Sequence, residues 1–285
     1  MKPAKFSYHA PRTVEEAISI LADVAPDDGR VLAGGQSLVP TMAFRLAQPA
    51  HLVDINRVDG LDRLAVDGDA LSIEARVRHA AFHRPVTDGP LGHLLAAVVR
   101  HIAHLPIRSR GTFCGSLAHA DPASEWCMVA TTLNARMIVR SSRGERALAP
   151  DAFFQGIMTT AIEPDELLAE ARLPVLPDDT RFGFEEFSRR VGDFAIAMVL
   201  ATYRLADGVM VEPRIGVGGA EELPRRMAAA EAALTGRAPE AAAFAAAAEA
   251  AADAVDPMTD INTTAAYRRD LVRALTRRAL ERAAQ

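Results

Sequence analysis

The chain has 285 residues, 49% hydrophobic and 24% charged, the balance of a folded soluble protein and not of a disordered one. That length exceeds what one hydrophobic core usually serves, so two domains, or three lobes, are expected. Lys and Arg total 32 against 37 Asp and Glu, a net charge of −5, which argues against a nucleic-acid backbone as partner. Two cysteines, Cys114 and Cys127, cannot build a disulfide framework or a four-thiolate cluster, and they fit a reducing, cytoplasmic setting. The first residues carry no apolar signal core, and the longest apolar run, Phe194 to Ala201, is too short to span a bilayer.

In chain order, Thr13-Val14-Glu15-Glu16 is a capping box, followed by Val14, Ala17, Ile18 and Leu21 at helical spacing. Short strands are predicted at Arg30 to Ala33 and Leu52 to Ile55, and a third over Leu71, Ile73, Ala75 and Val77, which alternate. A helix is predicted from Leu91 to His104, ended by Pro106. Another opens at Asp121-Pro122, with Asp121 as N-cap, and runs through Leu133. Arg136 to Arg140 reads as a strand. Pro174 to Asp179 breaks both periodicities and reads as a linker. Beyond it, strands are predicted around Phe182, Phe184 and Phe187, over Phe194 to Leu205 and over Val209 to Gly218, the last two joined by an Asp207-Gly208 turn. Helices follow at Pro239 to Val255, almost pure alanine, and at Thr264 to Ala284. The last helix carries Arg268, Arg269, Arg273, Arg277, Arg278 and Arg282, which read first as a solvated face and second as a docking surface for an acidic partner. The plan is α+β.

Two segments carry chemistry. Ala33-Gly34-Gly35-Gln36-Ser37-Leu38 follows a strand directly, and paired glycines let backbone N–H groups converge into a nest that suits a pyrophosphate. It is neither a Walker loop nor Gly-x-Gly-x-x-Gly. The second runs from Ile107 to Glu125. There a hydroxyl-rich glycine loop, Thr112-Phe113-Cys114-Gly115-Ser116, leads to a helix N-terminus, with His119, Asp121 and Glu125 close behind. His101-x-x-His104 puts two imidazoles on one helix face, but no carboxylate motif supports zinc, so both read as structural. Arg189, Arg190 and Asp193 read as an ion-pair cluster. Cys114 reads as a small buried thiol, and thirteen positions to Cys127 give no redox pair.

Together, Ala-Gly-Gly-Gln-Ser and Arg-Gly-Thr-Phe-Cys-Gly-Ser-Leu-Ala-His-Ala-Asp-Pro-Ala-Ser-Glu resemble the FAD-binding medium subunit of molybdenum hydroxylases, the family of carbon monoxide dehydrogenase, xanthine dehydrogenase and the N-heteroaromatic hydroxylases. The likeness continues through Leu52 to Ile55, Asp165 to Leu168, Arg189 to Ala195 and Tyr267-Arg268. It implies a two-lobed FAD-binding domain of the vanillyl-alcohol-oxidase (PCMH) type over residues 1–176, with lobes at about 1–57 and 58–176. A smaller C-terminal domain over 177–285 would hold a three-stranded antiparallel sheet and helices. By the same resemblance, Ala33, Gly34, Gly35, Gln36, Ser37 and Leu38 form the first pyrophosphate loop, and Thr112, Phe113, Cys114, Gly115 and Ser116 the second. His119, Asp121 and Glu125 lie toward the ribityl, ribose or phosphate part, Leu168 toward the flavin or adenine, and Phe194 near the isoalloxazine ring.

Cys114 stands where the family usually carries glycine, and Ser109 where it often carries Asn. If the backbone at Cys114 needs a positive φ the residue costs energy; otherwise the loop takes an ordinary φ. The function implied is electron transfer. Substrate is hydroxylated at a molybdenum cofactor in a large subunit, and electrons cross two [2Fe–2S] clusters in a small subunit to FAD here and then to an external acceptor. The expected assembly is a heterotrimer, doubled. No side chain of this chain needs to be a general acid or base, and no metal site is expected in it. Two other readings remain at this stage: a self-sufficient FAD-dependent oxidase or dehydrogenase, and a non-catalytic scaffold without FAD.

Overall fold

The computed structural model describes residues 2–261 and 263–285. Its first region comprises β1 (Ser7–His9), α1 (Val14–Val24), β2 (Gly29–Leu32), α2 (Leu38–Ala43) and β3 (His51–Asp54). The three strands form a parallel sheet in the order β1-β3-β2. The Thr13 cap forms as read, while the return bond of the capping box goes to the residue before the cap. Thr13 Oγ1 accepts from the Glu16 N–H at 3.1 Å, while the Glu16 carboxylate reaches back to the Arg12 N–H at 2.7 Å. Such a cap contributes about 1 kcal/mol.

The second region contains β4 (Leu64–Asp67), β5 (Ala70–Glu74), α3 (Gly89–Val98), α4 (Leu105–Arg108), α5 (Phe113–His119) and α6 (Glu125–Leu133). It continues with β6 (Arg136–Ser141), β7 (Gly144–Leu148), α7 (Pro150–Phe153), β8 (Phe154–Gly156), β9 (Thr159–Thr160) and β10 (Leu167–Pro174). A five-stranded antiparallel sheet runs in the order β4-β5-β10-β6-β7.

Two helix boundaries differ from the sequence reading. The helix expected to reach His104 stops at Val98, and Ala103 takes φ 41°. His101 and His104 therefore do not share a helix face. The helix expected from Asp121 begins at Glu125 with Ser124 as N-cap. Asp121 instead closes a turn: its Oδ1 accepts from the Ala123 N–H at 2.9 Å and its carbonyl from the Ser124 N–H at 2.9 Å. An aspartate competes for nearby N–H groups equally well in a turn or at a cap.

The third region contains β11 (Arg181–Phe187), β12 (Ala197–Ala206), β13 (Val209–Gly218), β14 (Arg225–Arg226), α8 (Ala228–Leu234), α9 (Ala241–Ala254) and α10 (Ala265–Ala283). The three expected strands pair antiparallel, and a two-residue β14 extends the sheet. The Asp207-Gly208 turn takes φ 50° and 79°, the twist that suits a tight hairpin. Along β12, Met198 and Leu200 face the core of the first two regions, while Val199, Ala201 and Tyr203 face a second core beneath α8, α9 and α10. A strand's two-residue period thus serves both cores.

The alanine-rich α9 is packed, with Phe244, Ala247, Ala248, Ala251 and Ala252 buried. Of the α10 arginines, Arg277, Arg278 and Arg282 are exposed as read, and Arg282 pairs with Glu185 at 2.5 Å. Arg268 departs from the solvated-face reading, being 4% exposed.

The second and third regions meet where α6 crosses the end of β13. A Cβ at Gly216 would lie 1.7 Å from Thr132 Oγ1, which itself donates to the Met128 carbonyl at 2.8 Å. Gly216→Ala is therefore expected to cost about 1–3 kcal/mol by overpacking. Urea unfolding should show a lower midpoint at unchanged slope. Adding Thr132→Ala should recover part of the loss, since the hydroxyl that blocks the new methyl is gone.

Candidate functional site

β2 delivers the chain into the turn at Ala33 to Ser37, where Gly35 takes φ 72°. Among the described residues, the N–H groups of Gly34, Gly35, Gln36 and Ser37 make no hydrogen bond within the chain. Those of Gly34, Gly35 and Gln36 belong to residues lining a cleft of about 350 Å³, in the size range of small-molecule sites. Of the second segment Arg110 lines this cleft, and none of Thr112, Phe113, Cys114, Gly115 and Ser116 does. A Cβ at Gly34 would lie 2.4 Å from the Arg110 carbonyl oxygen and 2.6 Å from the Gly111 Cα. The two glycine segments, separated by some seventy positions in sequence, are thus in direct backbone contact.

Residues that sequence reasoning did not single out hold this contact. Asn56 Nδ2 donates to the Ala33 carbonyl at 2.8 Å, and its Oδ1 accepts from Arg78, which also donates to the Arg110 carbonyl. Asp54, which lines the cleft, accepts from the Asn56 N–H at 2.8 Å and from the Tyr8 hydroxyl at 2.5 Å. That hydrogen bond is the main reason the Tyr8 hydroxyl is held above its ordinary pKa. Burial, and then the neighbouring Arg110 and Arg76 charges, push Arg78 below its ordinary value. Nothing in the spacing of Asn56 and Arg78 marks them, because their partners are backbone carbonyls far along the chain.

Beneath the second loop, His79 is buried, and its N–H donates to the Gly111 carbonyl at 3.0 Å. Trp126 Nε1 donates to His79 Nδ1 at 3.0 Å, which leaves the ring proton on Nε2. Burial, then the Arg78 and Arg108 charges, push His79 down to about 4, so the site floor is neutral.

Thr112 caps α5, with Oγ1 accepting from the Gly115 N–H at 3.0 Å, and the Phe113 N–H donates to the Val77 carbonyl. These two donors are engaged within the chain, contrary to the expectation of a fully free helix N-terminus. Cys114 sits inside α5, outside the positive-φ residues, 2% exposed, with its thiol 3.4 Å from the Ile73 carbonyl. The loop thus takes the ordinary φ, and the side chain points into the core. Burial pushes the Cys114 thiol far up and Cys127 up to about 12, and both are free thiols.

The remaining candidates lie outside the cleft lining. Ser37 and Leu38 lead into α2, and Ser116 and His119 continue α5. Leu168 is buried on β10 beside a register shift, and Phe194 is 76% exposed at the end of the 188–195 loop. In that loop Arg189, Arg190 and Asp193 form no ion pair among the described residues; Asp193 instead donates its N–H to the Arg190 carbonyl at 3.0 Å. Glu125 is 8% exposed and faces Glu186 of β11, whose side chain is 3% exposed. Burial pushes both carboxyls up, and the Glu125 charge adds to the effect on Glu186. Glu186 Oε2 makes no hydrogen bond and lies 3.9 Å from His101 Nδ1. His101 packs edge-on against Phe184.

Residues 4–176 match the family model of the FAD binding domain in molybdopterin dehydrogenase, and residues 182–283 match the CO dehydrogenase flavoprotein C-terminal domain. The chain belongs to the FAD-binding medium subunits of the molybdenum hydroxylases. It is 38% identical over 282 residues to the nicotine 6-hydroxylase medium subunit of Paenarthrobacter nicotinovorans, covering 98% of each chain. It is 32% identical over 284 residues to the carbon monoxide dehydrogenase medium chain of Hydrogenophaga pseudoflava, covering 99% of this chain and 98% of that one. Among solved structures, carbon monoxide dehydrogenase from that organism superposes at a TM-score of 0.94, with 34% identity over 99% of this chain and 98% of the other. Quinoline 2-oxidoreductase from Pseudomonas putida 86 superposes at 0.93, with 36% identity over 100% and 99%. This medium subunit is therefore part of an oxidoreductase, and its N-terminal region is an FAD-binding domain.

The buried titratable groups oppose one another in pH dependence. His79, held below its ordinary value, costs stability as pH falls from about 6.5 toward about 4, by at most about 3 kcal/mol. Glu186, held above its ordinary value, is protonated in the folded state while the unfolded chain releases its proton, so stability is lost as pH rises. Glu186→Gln is expected to become more stable than the parent, by a margin that grows between about pH 5 and about pH 8. Urea midpoints at the two pH values check this, and a margin independent of pH contradicts it.

Proposed function

We propose that this chain is the electron-transfer subunit of a molybdenum-containing hydroxylase or dehydrogenase. It would take electrons from two [2Fe–2S] clusters of a small subunit and pass them to an external acceptor, while a large molybdenum subunit oxidises the substrate. The observation that carries the reading is the row of unpaired N–H groups at Gly34, Gly35 and Gln36, residues that line a cleft together with Arg110, where Gly34 packs against the Arg110-Gly111 backbone. Successive N–H groups of this kind form an anion nest, matched to a pyrophosphate. Bound FAD supplies the storage and transfer of electrons, chemistry that side chains alone do not provide.

The chain's own residues bind and orient. Ala33 to Leu38 cradle the pyrophosphate, and Asn56 and Arg78 occupy the Ala33 and Arg110 carbonyls with hydrogen bonds. Thr112, Phe113, Cys114, Gly115 and Ser116 form the second loop, held rigid by the Thr112 cap and the His79–Trp126 floor. His119, Asp121 and Glu125 lie toward the ribityl, ribose or phosphate portion. Leu168 and Phe194 border the ring system. No residue acts as general acid or base.

The same reading divides the chain into a 1–176 FAD domain, with lobes at about 1–57 and 58–176, and a 177–285 domain. It places the subunit in a cytoplasmic dimer of heterotrimers. Among the described residues no helix is long and apolar enough to cross a membrane.

The test is flavin content and visible spectrum of the chain, alone and co-expressed with its genomic neighbours. FAD is expected at one per chain, and iron–sulfur absorbance in the complex alone. A folded protein without flavin in either preparation would sink the electron-transfer role. Gly34→Ala, whose methyl would meet the Arg110 carbonyl at 2.4 Å, is expected to weaken FAD retention at least about tenfold, measured by equilibrium dialysis.

A further inference from the structure

Arg268 has a role the cofactor loops do not account for. It lies in the second turn of α10, 4% exposed, amid the core beneath that helix. Its Nη1 donates to the carbonyl of Ile196 at 2.5 Å and to that of Gly219, and its Nη2 pairs with Asp260 at 2.6 Å. Among the described residues its Nε is buried without a partner. Burying a guanidinium is costly even when paired, and an apolar side chain on this helix face would avoid the cost. What the cation does in return is connect two places. Ile196 stands two residues after Phe194, and its N–H donates to the Phe187 carbonyl at 2.8 Å, closing the base of the 188–195 loop. Gly219 directly follows β13, and its N–H donates at 2.8 Å to the carbonyl of Pro122, inside the turn that joins α5 to α6.

The loop itself has few other restraints. Ser188 and Asp193 bond internally to the Arg190 carbonyl, Gly192 rests on Ala103 and His104, and Val191 is 88% and Phe194 76% exposed. The loop's base is held by the β11–β12 ladder, by the Ile196–Phe187 hydrogen bond and by the buried Ala195, and Arg268 adds its grip on the Ile196 carbonyl there.

We propose that Arg268 is a positioning residue, which locks the Phe194 loop and the Asp121–Ser124 turn into one unit on two sides of the flavin site. The proposal rests on the reading that Phe194 borders bound FAD.

The test compares FAD-loaded parent, Arg268→Met, Arg268→Lys and Phe194→Ala by trypsin digestion and by visible circular dichroism of the bound flavin. Arg189 and Arg190 are exposed cleavage sites in the loop, and Arg45 and Arg237 are exposed sites elsewhere. In Arg268→Met, cleavage after Arg189 or Arg190 is expected to accelerate at least about tenfold, with cleavage after Arg45 and Arg237 unchanged. FAD content should stay near the parent's, because the glycine loops are intact. The flavin circular dichroism should shift toward that of Phe194→Ala, and the double variant should add nothing further. Arg268→Lys, which can reach one or two of the acceptors, should fall between; should the methionine variant fail to fold, the lysine variant carries the same comparison.

Unchanged loop cleavage, or faster cleavage at all four sites alike, overturns the anchoring. Faster loop cleavage with an unaltered flavin signal, while Phe194→Ala alters it, overturns the link from anchor to cofactor. An unaltered signal in Phe194→Ala itself overturns the placement of Phe194 beside the flavin, and the proposal with it.

Discussion

The contact between the Gly34 backbone and the Arg110-Gly111 backbone is the constraint around which the cofactor region is arranged. No side chain fits between the two segments, since the first atom of one would lie 2.4 Å from a carbonyl oxygen. At that distance the polarity of each backbone matters as much as its shape. A carbonyl turned into the cleft would repel a pyrophosphate, whereas an N–H attracts it. Asn56 and Arg78 bear on this by occupying the Ala33 and Arg110 carbonyls with hydrogen bonds, so that neither is left as a bare acceptor beside the cleft. Each belongs to an element that is itself fixed: Asn56 follows β3 and is bonded to Asp54, and Arg78 precedes the buried His79.

α6 carries this arrangement to the rest of the molecule. Its first residue, Glu125, is buried against Glu186 of β11; its second, Trp126, packs with Phe82 and Phe113 under the second loop. Its body lies across the glycine-bearing end of β13. The candidate site and the C-terminal sheet thus share one helix. This suits a subunit whose task is to hold a redox cofactor at a fixed place, where orientation and environment matter more than a reactive side chain. Burial holds His79 uncharged and raises the Glu125 and Glu186 carboxyls, which limits the fixed charge inside this part of the fold.

The departures between sequence reading and structure share a cause. Asp121 and the His101–His104 pair were assigned from local periodicity, yet the chain there follows contacts made elsewhere. Asp121 closes a turn whose Pro122 carbonyl is taken by Gly219, and His101 turns out of helical register to pack edge-on against Phe184. Arg268 looked like one of six arginines on a solvated helix, and its burial depends on carbonyls 49 and 72 residues away. Cys114 is the reverse case. The family pattern raised the question of a positive φ, and the answer is an ordinary helical backbone with the thiol 3.4 Å from the Ile73 carbonyl.

By itself, the sequence determined the class of fold, most of the strands and helices, and the two glycine segments that mark the cofactor. Those features depend on periodicities, caps and short motifs, which act over a few residues. The tertiary structure alone decided that the two segments touch, and which polar residues hold them there. It also decided that one arginine of α10 is buried while others stay in water. Such choices are made by hydrogen bonds to backbone carbonyls across tens of residues, and a carbonyl carries no signature in the amino-acid code.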